Sequence, residues 1–169
     1  MKLLVVKNDY RLKKILVLAR LANVLVETSF VSQDDISGIH PSAKDFLLHP
    51  ANGDPIVAGV THMAILKYIA GLIPLKSFLG ADVDTSKDIE KWLEFGWKEL
   101  EVPLASLDDS SPADVQVVKT DLLKALEVLD KHLASRTYVA GERMTAADIS
   151  LVSAGSAAAS IGVVTPSTK

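Results

Sequence analysis

The segment KLLVV (2–6), apolar and flanked by charge, constrains the fold of this chain most. A run without polar alternation reads as a strand covered on both faces, so the chain must supply a layer above it and a layer below. Asn8 or Asp9 can then cap a helix through YRLKKILVLARLA (10–22), where Leu12, Ile15, Leu16, Ala19 and Ala22 share one stripe. NVLVETSFV (23–31) returns to β-branched residues and to extended chain. Strand, helix, strand in this order implies a parallel pair, because the helix supplies the crossover that parallel strands need.

The next stretch, 32–55, reads as irregular, with Pro41, Pro50, Pro55 and a turn signal at Asn52-Gly53-Asp54. PIVAGV (55–60) has the composition of a short strand, and VTHMAILKYIAG (60–71) reads as the entry and first turns of a helix opened by Thr61. Pro74 ends this unit, and LKSFLGADVDTSK (75–87) reads as a linker. From Asp88 the pattern is helical. Ile89, Trp92, Leu93 and Leu100 mark one helix, expected to end near Pro103. DDSSP (108–112) breaks the chain and caps a second helix, with Pro112 in its first turn. Along it Val115, Val118, Leu122, Ala125, Leu126, Leu129 and Leu133 hold one face for about five turns. The expected organisation is an α/β subdomain over 1–73, a linker over 74–87, an all-α subdomain over 88–160 and a frayed tail over 161–169.

Composition narrows the chemistry. The formal charge of −3 does not suit a nucleic-acid-binding surface, and the early basic cluster (Lys2, Lys7, Arg11, Lys13, Lys14, Arg20) reads as the solvated face of a helix. With no cysteine there is no disulfide, thiolate metal site or cysteine nucleophile. No apolar run approaches the ~18–20 residues that span a bilayer, and the first ten residues break into charge too soon for a signal peptide. A cytoplasmic protein without a membrane partner is the expectation. His40, His49, His62 and His132 show no metal-ligand spacing, and neither a phosphate loop nor a serine-nucleophile motif is present. No cofactor or metal is expected.

The sharpest local signal is YVAGERMTAADISLV (138–152). Thr145 is placed as N-cap, with Asp148 at N3 able to reach back to its N–H, and Met144 before the cap can pack on Ile149. The spacing assigns Asp148 to capping rather than to catalysis. GERMTAADIS resembles the capping box and staple of the glutathione transferase C-terminal domain, and AILKYIA (64–70) resembles the helix that comes after the last strand of that family's thioredoxin-like half. The order of elements over about 1–155 is also that family's order. The resemblance implies a glutathione transferase-like fold: an N-terminal thioredoxin-like α/β subdomain followed by a truncated C-terminal helical bundle.

It also locates the family's chemistry. The positions that would hold the γ-glutamyl carboxylate of glutathione fall on Thr61 and His62, where the family has an acidic residue or Gln followed by Ser. Thr61 suits an N-cap, and His62 is a bulkier donor than the Ser it replaces. Pro50 stands nearest the family's usual cis-proline, with almost no strand behind it, and Tyr10 is the one candidate for thiol activation. The expectation is a domain without catalytic residues. Trp92 reads as core. Trp97, if exposed, marks an interface, with Arg136, Arg143 and the acidic residues of 88–101 as rim candidates around a patch of at least ~1,000 Å².

Non-catalytic domains of this type recur in eukaryotic translation. IEKWLEFGWKEL (89–100) and NGDPIVAGVTHMAIL (52–66) look like aminoacyl-tRNA synthetases and scaffolds of the multi-synthetase complex. YRLKKILVLARLAN (10–23) and RTYVAGERMTAADI (136–149) look more like the gamma subunit of elongation factor one B. The resemblance favours a synthetase or scaffold domain that docks to other glutathione transferase-like domains, as homodimer or hetero-complex, and touches tRNA only indirectly. The elongation-factor gamma subunit is the alternative, and a divergent glutathione transferase the second.

Overall fold

The structure is a computed structural model that describes residues 1–6, 9–39, 43, 45–49, 61–74, 76–107 and 111–163. It divides into two compact units, Met1–Leu79 and Gly80–Lys169.

In the first unit β1 (Lys2–Val5) leads into α1 (Tyr10–Leu21) and β2 (Glu27–Phe30). Next come α2 (Gln33–Ile39), β3 (Phe46–His49) and α3 (His62–Gly71). The sheet runs β2-β1-β3. β1 is parallel to β2, with Leu3 opposite Thr28, and antiparallel to β3, with Leu3 opposite Leu48. The central position of β1 explains its lack of polar alternation: Leu3, Leu4 and Val5 are all buried. Leu4 and Leu47 share one face with Ile36 of α2 and Ala43. Leu3, Val5, Phe46 and Leu48 alternate to the other face and are also buried. α1 and α3 pack against each other.

Three expectations are corrected here. Stretch 32–55 is not simply irregular, since it holds α2 and β3. α2 opens on a Ser32/Asp35 box: the Ser32 N–H and hydroxyl donate to Asp35 at 3.1 and 2.6 Å, and the Asp35 N–H returns to the Ser32 hydroxyl at 3.2 Å. The stripe of α1 is rotated from the one expected, so Leu18 is buried and Leu16 is not. The basic cluster is not one solvated face either: Lys14 is fully buried and Arg11 half-buried, while Lys2, Lys13 and Arg20 are exposed. Pro41, Pro50, the 52–54 turn, the 55–60 strand, Lys7, Asn8 and His40 lie outside the described residues.

The segment expected as linker is structured from Lys76 onward. A 3-10 turn (Lys76–Leu79) closes the first unit, and α4 (Val83–Phe95) starts five residues before Asp88. Asp82 caps it, accepting the Thr85 N–H at 2.8 Å and the Thr85 hydroxyl at 2.9 Å. Gly80 sits at φ +103°, and a Cβ there would lie 2.6 Å from the backbone of Ser86, so only glycine fits this entry to the cap.

Pro103 does not end the first long helix as expected. α4 widens into a π-turn (Gly96–Glu101), in which the Val102 N–H bonds Trp97 O, and continues as α5 (Val102–Ser106). The wider turn gives the proline ring the room that an α-helical carbonyl four residues back would deny it. At its start Gly96 faces Leu151, 3.0 Å from where a Cβ would be, and this lets the last helix of the unit approach closely.

α6 (Pro112–Leu133) is capped by Ser111, and α7 (Ala146–Ser160), which carries Leu151, completes the unit. Of the predicted α6 stripe, Leu122 and Ala125 are buried, while Val115, Val118, Leu126, Leu129 and Leu133 are half-buried. α7 is the core helix, burying Ala146, Ala147, Ile149, Leu151, Ala154 and Ala158. Its end is not frayed at 161–163. Val163 N–H reaches Ala158 O at 3.1 Å and Gly162 N–H reaches Ala159 O at 3.0 Å, with Gly162 at φ +77°, a Schellman closure. Residues 164–169 lie outside the described set.

Candidate functional site

Two helix N-termini carry Tyr10, Thr61 and His62, which sequence places at a ligand site, and the chain entering β3 packs against them. Asp9 caps α1. Its Oδ1 accepts the Arg11 N–H at 2.8 Å and its Oδ2 accepts Arg11 Nε at 2.7 Å. The same guanidinium donates through Nη1 to Asp45 at 2.7 Å, just before β3, and lies 5.5 Å from the centre of the Phe46 ring. Phe46 in turn meets His62 edge-on, ring centres 6.1 Å apart. His62 is the first residue of α3 and is buried; Thr61 before it accepts the Ala64 N–H at 3.4 Å. Tyr10 is the first residue of α1 and is half-buried.

The one cation of this cluster is shared by two carboxylates. Burial works against the Arg11 charge, but the hydrogen bond and charge of Asp9, then those of Asp45, outweigh it and raise the guanidinium pKa. A helix N-terminus favours an anion, and at α1 that anion is the Asp9 carboxylate. Exogenous thiolate or carboxylate would compete with Asp9 for the N–H and with Asp9 and Asp45 for the cation. At α3 the Thr61 hydroxyl caps the helix, while the His62 ring packs against Phe46. Sequence reasoning placed Thr61, His62 and Tyr10 but missed Arg11 and Asp45, whose pairing spans 34 positions in the chain.

In the helical unit the capping box is present around Asp148. Asp148 Oδ2 accepts the Thr145 N–H at 2.7 Å and its hydroxyl at 2.8 Å, and Oδ1 accepts the Val139 N–H at 2.9 Å. The Val139 carbonyl is 2.9 Å from His132 Nε2; because a carbonyl only accepts, that nitrogen carries the proton. The His132 ring lies 4.3 Å from that of Trp92, which is buried. Asp148 and His132 therefore tie α6, the 134–145 loop and α7 together. The staple is lopsided: Ile149 is buried, whereas Met144 keeps 42% of its surface exposed.

Trp97 stays 42% exposed, and Arg136 and Arg143 are exposed. No hydrogen bond, ion pair or ring contact among the described residues joins Trp97 to either arginine; Arg136 donates to His132 O at 3.5 Å. The described residues contain no group of His, Asp or Glu arranged to hold a metal, and no helix among them is long and apolar enough to cross a membrane.

Known proteins resemble this chain in both sequence and fold. Residues 91–165 match the family model described as the glutathione S-transferase C-terminal domain. The chain is 29% identical over 157 residues to the glutathione S-transferase-like protein FUS3 of Gibberella fujikuroi, covering 82% of this chain and 71% of that one. It is 28% identical over 149 residues to elongation factor 1-gamma 3 of Oryza sativa subsp. japonica, covering 80% of this chain and 35% of that protein. The chain thus spans about a third of the length of the elongation factors that it matches. A glutathione S-transferase domain-containing protein from Marinobacter aquaeolei VT8 has the same fold, with a TM-score of 0.82 at 18% identity over 99% of this chain and 91% of that one.

Proposed function

Because this chain has the glutathione transferase-like fold, with a thioredoxin-like part followed by a glutathione S-transferase C-terminal domain, we propose that it is a non-catalytic assembly domain of the translation elongation machinery, of the elongation factor 1-gamma type. The observation that carries the non-catalytic half of this reading is the Asp9–Arg11–Asp45 cluster. A glutathione transferase must stabilise a thiolate near the start of α1. Here a carboxylate already sits on that helix end, and the nearby cation is committed to two carboxylates. The buried His62 against Phe46 supports the same reading at α3.

What supports the elongation half is the likeness to elongation factor 1-gamma from plants and animals. This reverses the order of the two alternatives read from sequence motifs, where the synthetase and scaffold type came first. In this reading the domain works in the cytoplasm by docking to other glutathione transferase-like domains or elongation-factor subunits. It meets tRNA only through them and has no membrane role. Immobilising the 169-residue chain and identifying what it retains from its own cell's lysate tests the proposal: elongation-factor subunits are the expected catch, and a set of tRNA synthetases would return the scaffold reading to first place.

One finding favours a second reading, a divergent glutathione-dependent enzyme. The fungal relative called glutathione S-transferase-like matches over most of its length, and Tyr10 stands at the first position of α1. Calorimetry separates the two. The assembly reading expects no glutathione binding in the micromolar range, whereas tight binding and a transferase activity lost in Tyr10→Phe would establish the enzyme.

A further inference from the structure

One segment, LVETSFV (25–31), forms an open edge of the sheet in the first unit. Among the described residues no strand lies beyond β2. The odd-numbered residues of the segment spend their backbone groups on β1. Leu25 O accepts the Met1 amino group at 3.0 Å, the Glu27 N–H donates to Met1 O at 2.9 Å, and the Val31 N–H donates to Val5 O at 3.0 Å. By alternation the N–H and C=O groups of Val26, Thr28 and Phe30 point the other way, out of the edge. Folded proteins blunt such edges with proline, lysine or a bulge. This segment has neither proline nor lysine, and its register with β1 is unbroken from Glu27 to Phe30.

The side chains are apolar on both faces. Val26, Thr28 and Phe30 share the face of Leu3 and Val5, while Leu25, Glu27, Ser29 and Val31 share that of Leu4. Leu25 is 88% exposed and Phe30 59%, whereas Val26 and Val31 are half-buried. Antiparallel pairing with a second copy about a two-fold at Thr28 matches every one of these. Thr28 faces its counterpart, Val26 faces Phe30 and Leu25 faces Val31, so each exposed apolar side chain meets a half-buried one on the same face. The outward backbone groups at 26, 28 and 30 meet as hydrogen-bonded pairs. Glu27, the one charge of the segment, meets Ser29 and keeps Lys2 opposite it on β1. A two-fold at Glu27 would oppose two carboxylates, and one at Ser29 would set Glu27 against Val31.

We propose that the β2 edges of two copies pair antiparallel about Thr28, joining their sheets into one of six described strands. The contact lies wholly within the first unit and goes beyond the assembly reading, which it neither needs nor decides. It is isologous, so it occupies both edges and stops at two copies. Seven residues a side stand well below the about 20–30 of a standard interface, so the pair is weak and concentration-dependent.

Because the chain has no cysteine, single introduced thiols report the register cleanly. Thr28 and its counterpart would lie about 5.5 Å apart at Cα, within disulfide reach. Val26 and its counterpart, four residues out of step, would lie about 14 Å apart. Under diamide the 169-residue Thr28→Cys chain is expected to form a disulfide-linked dimer at least about tenfold faster than Val26→Cys alone. A mixture of Val26→Cys and Phe30→Cys chains should trap the hetero pair. Thr28→Pro added to both chains of that mixture removes the central outward donor and should slow trapping at least about tenfold, with far-UV circular dichroism unchanged, since an edge proline leaves the bonds to β1 intact. Equal trapping at 28 and 26, a mixture that traps nothing, or trapping indifferent to Thr28→Pro would overturn the proposal. If the proline variant loses its fold, the comparison of Thr28→Cys with Val26→Cys decides alone. A chain that traps nothing at 28 yet loses its lysate partners in a folded Thr28→Pro variant would assign the edge to a strand of another protein and overturn self-pairing.

Discussion

Removing the Asp148 side chain should unfasten the helical unit at its most connected polar point. Asp148 accepts three donors, two from Thr145 and one from Val139, at 2.7 to 2.9 Å. Loss of a helix cap costs about 0.5–2 kcal/mol, and hydrogen bonds to a charged acceptor contribute about 1.5–3 kcal/mol where water cannot replace them. Asp148 is half-buried, so water recovers part of that loss. Asp148→Ala is therefore expected to lower stability by about 2–4 kcal/mol, equivalent to about 5–15 °C in Tm for a chain of this size. Urea unfolding followed by far-UV circular dichroism measures the loss. Tryptophan fluorescence adds a local readout, because Trp92 lies on His132, which donates to Val139, which donates to Asp148. Thr145→Ala and the double variant complete a cycle, and the two single effects should overlap by about 1 kcal/mol or more. A loss below about 0.5 kcal/mol, or strictly additive effects, would refute the assignment of Asp148 as a shared acceptor.

Three further outcomes are expected of the same structure. Gly80→Ala combines a positive φ with a Cβ 2.6 Å from the Ser86 backbone, so it should destabilise the helical unit by about 2–5 kcal/mol in thermal melts. Arg11→Ala leaves Asp9 and Asp45 without their shared cation and should cost about 1–3 kcal/mol in urea unfolding; a neutral result would show the cluster to be incidental. The Asp82 carboxyl is pulled below its usual pKa by the Thr85 N–H and then the Thr85 hydroxyl, and Glu94 by its Lys98 partner. Because both folded-state values are depressed, their stabilisation is present above the ordinary carboxylate range and is lost as pH falls through the folded values. Helicity should therefore decline on acidification below about pH 4, and Asp82→Asn should flatten that decline in circular dichroism.

What could be read in the sequence was whatever leaves a local trace. Caps at Asp9, Thr61, Ser111 and Thr145 each need only a side chain and the next few backbone N–H groups, so type and spacing expose them. The central strand was legible because its apolar run has no polar interruption. α2 was not, because it buries one residue, Ile36, in seven and so has no period to detect. β3 was hidden by brevity between Pro41 and Pro50. The Arg11–Asp45 pair leaves no periodic mark at all, since its partners are brought together only by the fold. The start of α4 was missed because Asp82 and Thr85 present a capping pair in reversed order, an acid first and a hydroxyl second, inside a segment otherwise read as linker.

The π-turn at Gly96–Glu101 carries a consequence for how this helix tolerates change in length. Such a turn is an α-helix that has swallowed one extra residue, and each residue in a helix rotates the downstream chain by about 100°. Excising one position there would tighten the coil into an ordinary α-helix and keep Leu104 in phase with Trp92, yet press Pro103 into a turn with no space for its ring; straightening the turn with its residue kept would instead swing Leu104 away from the interior by about 100°. The bulge is therefore a register device: it sets the phase between Trp92 upstream and Leu104 downstream, so both point inward although no single helical period connects them.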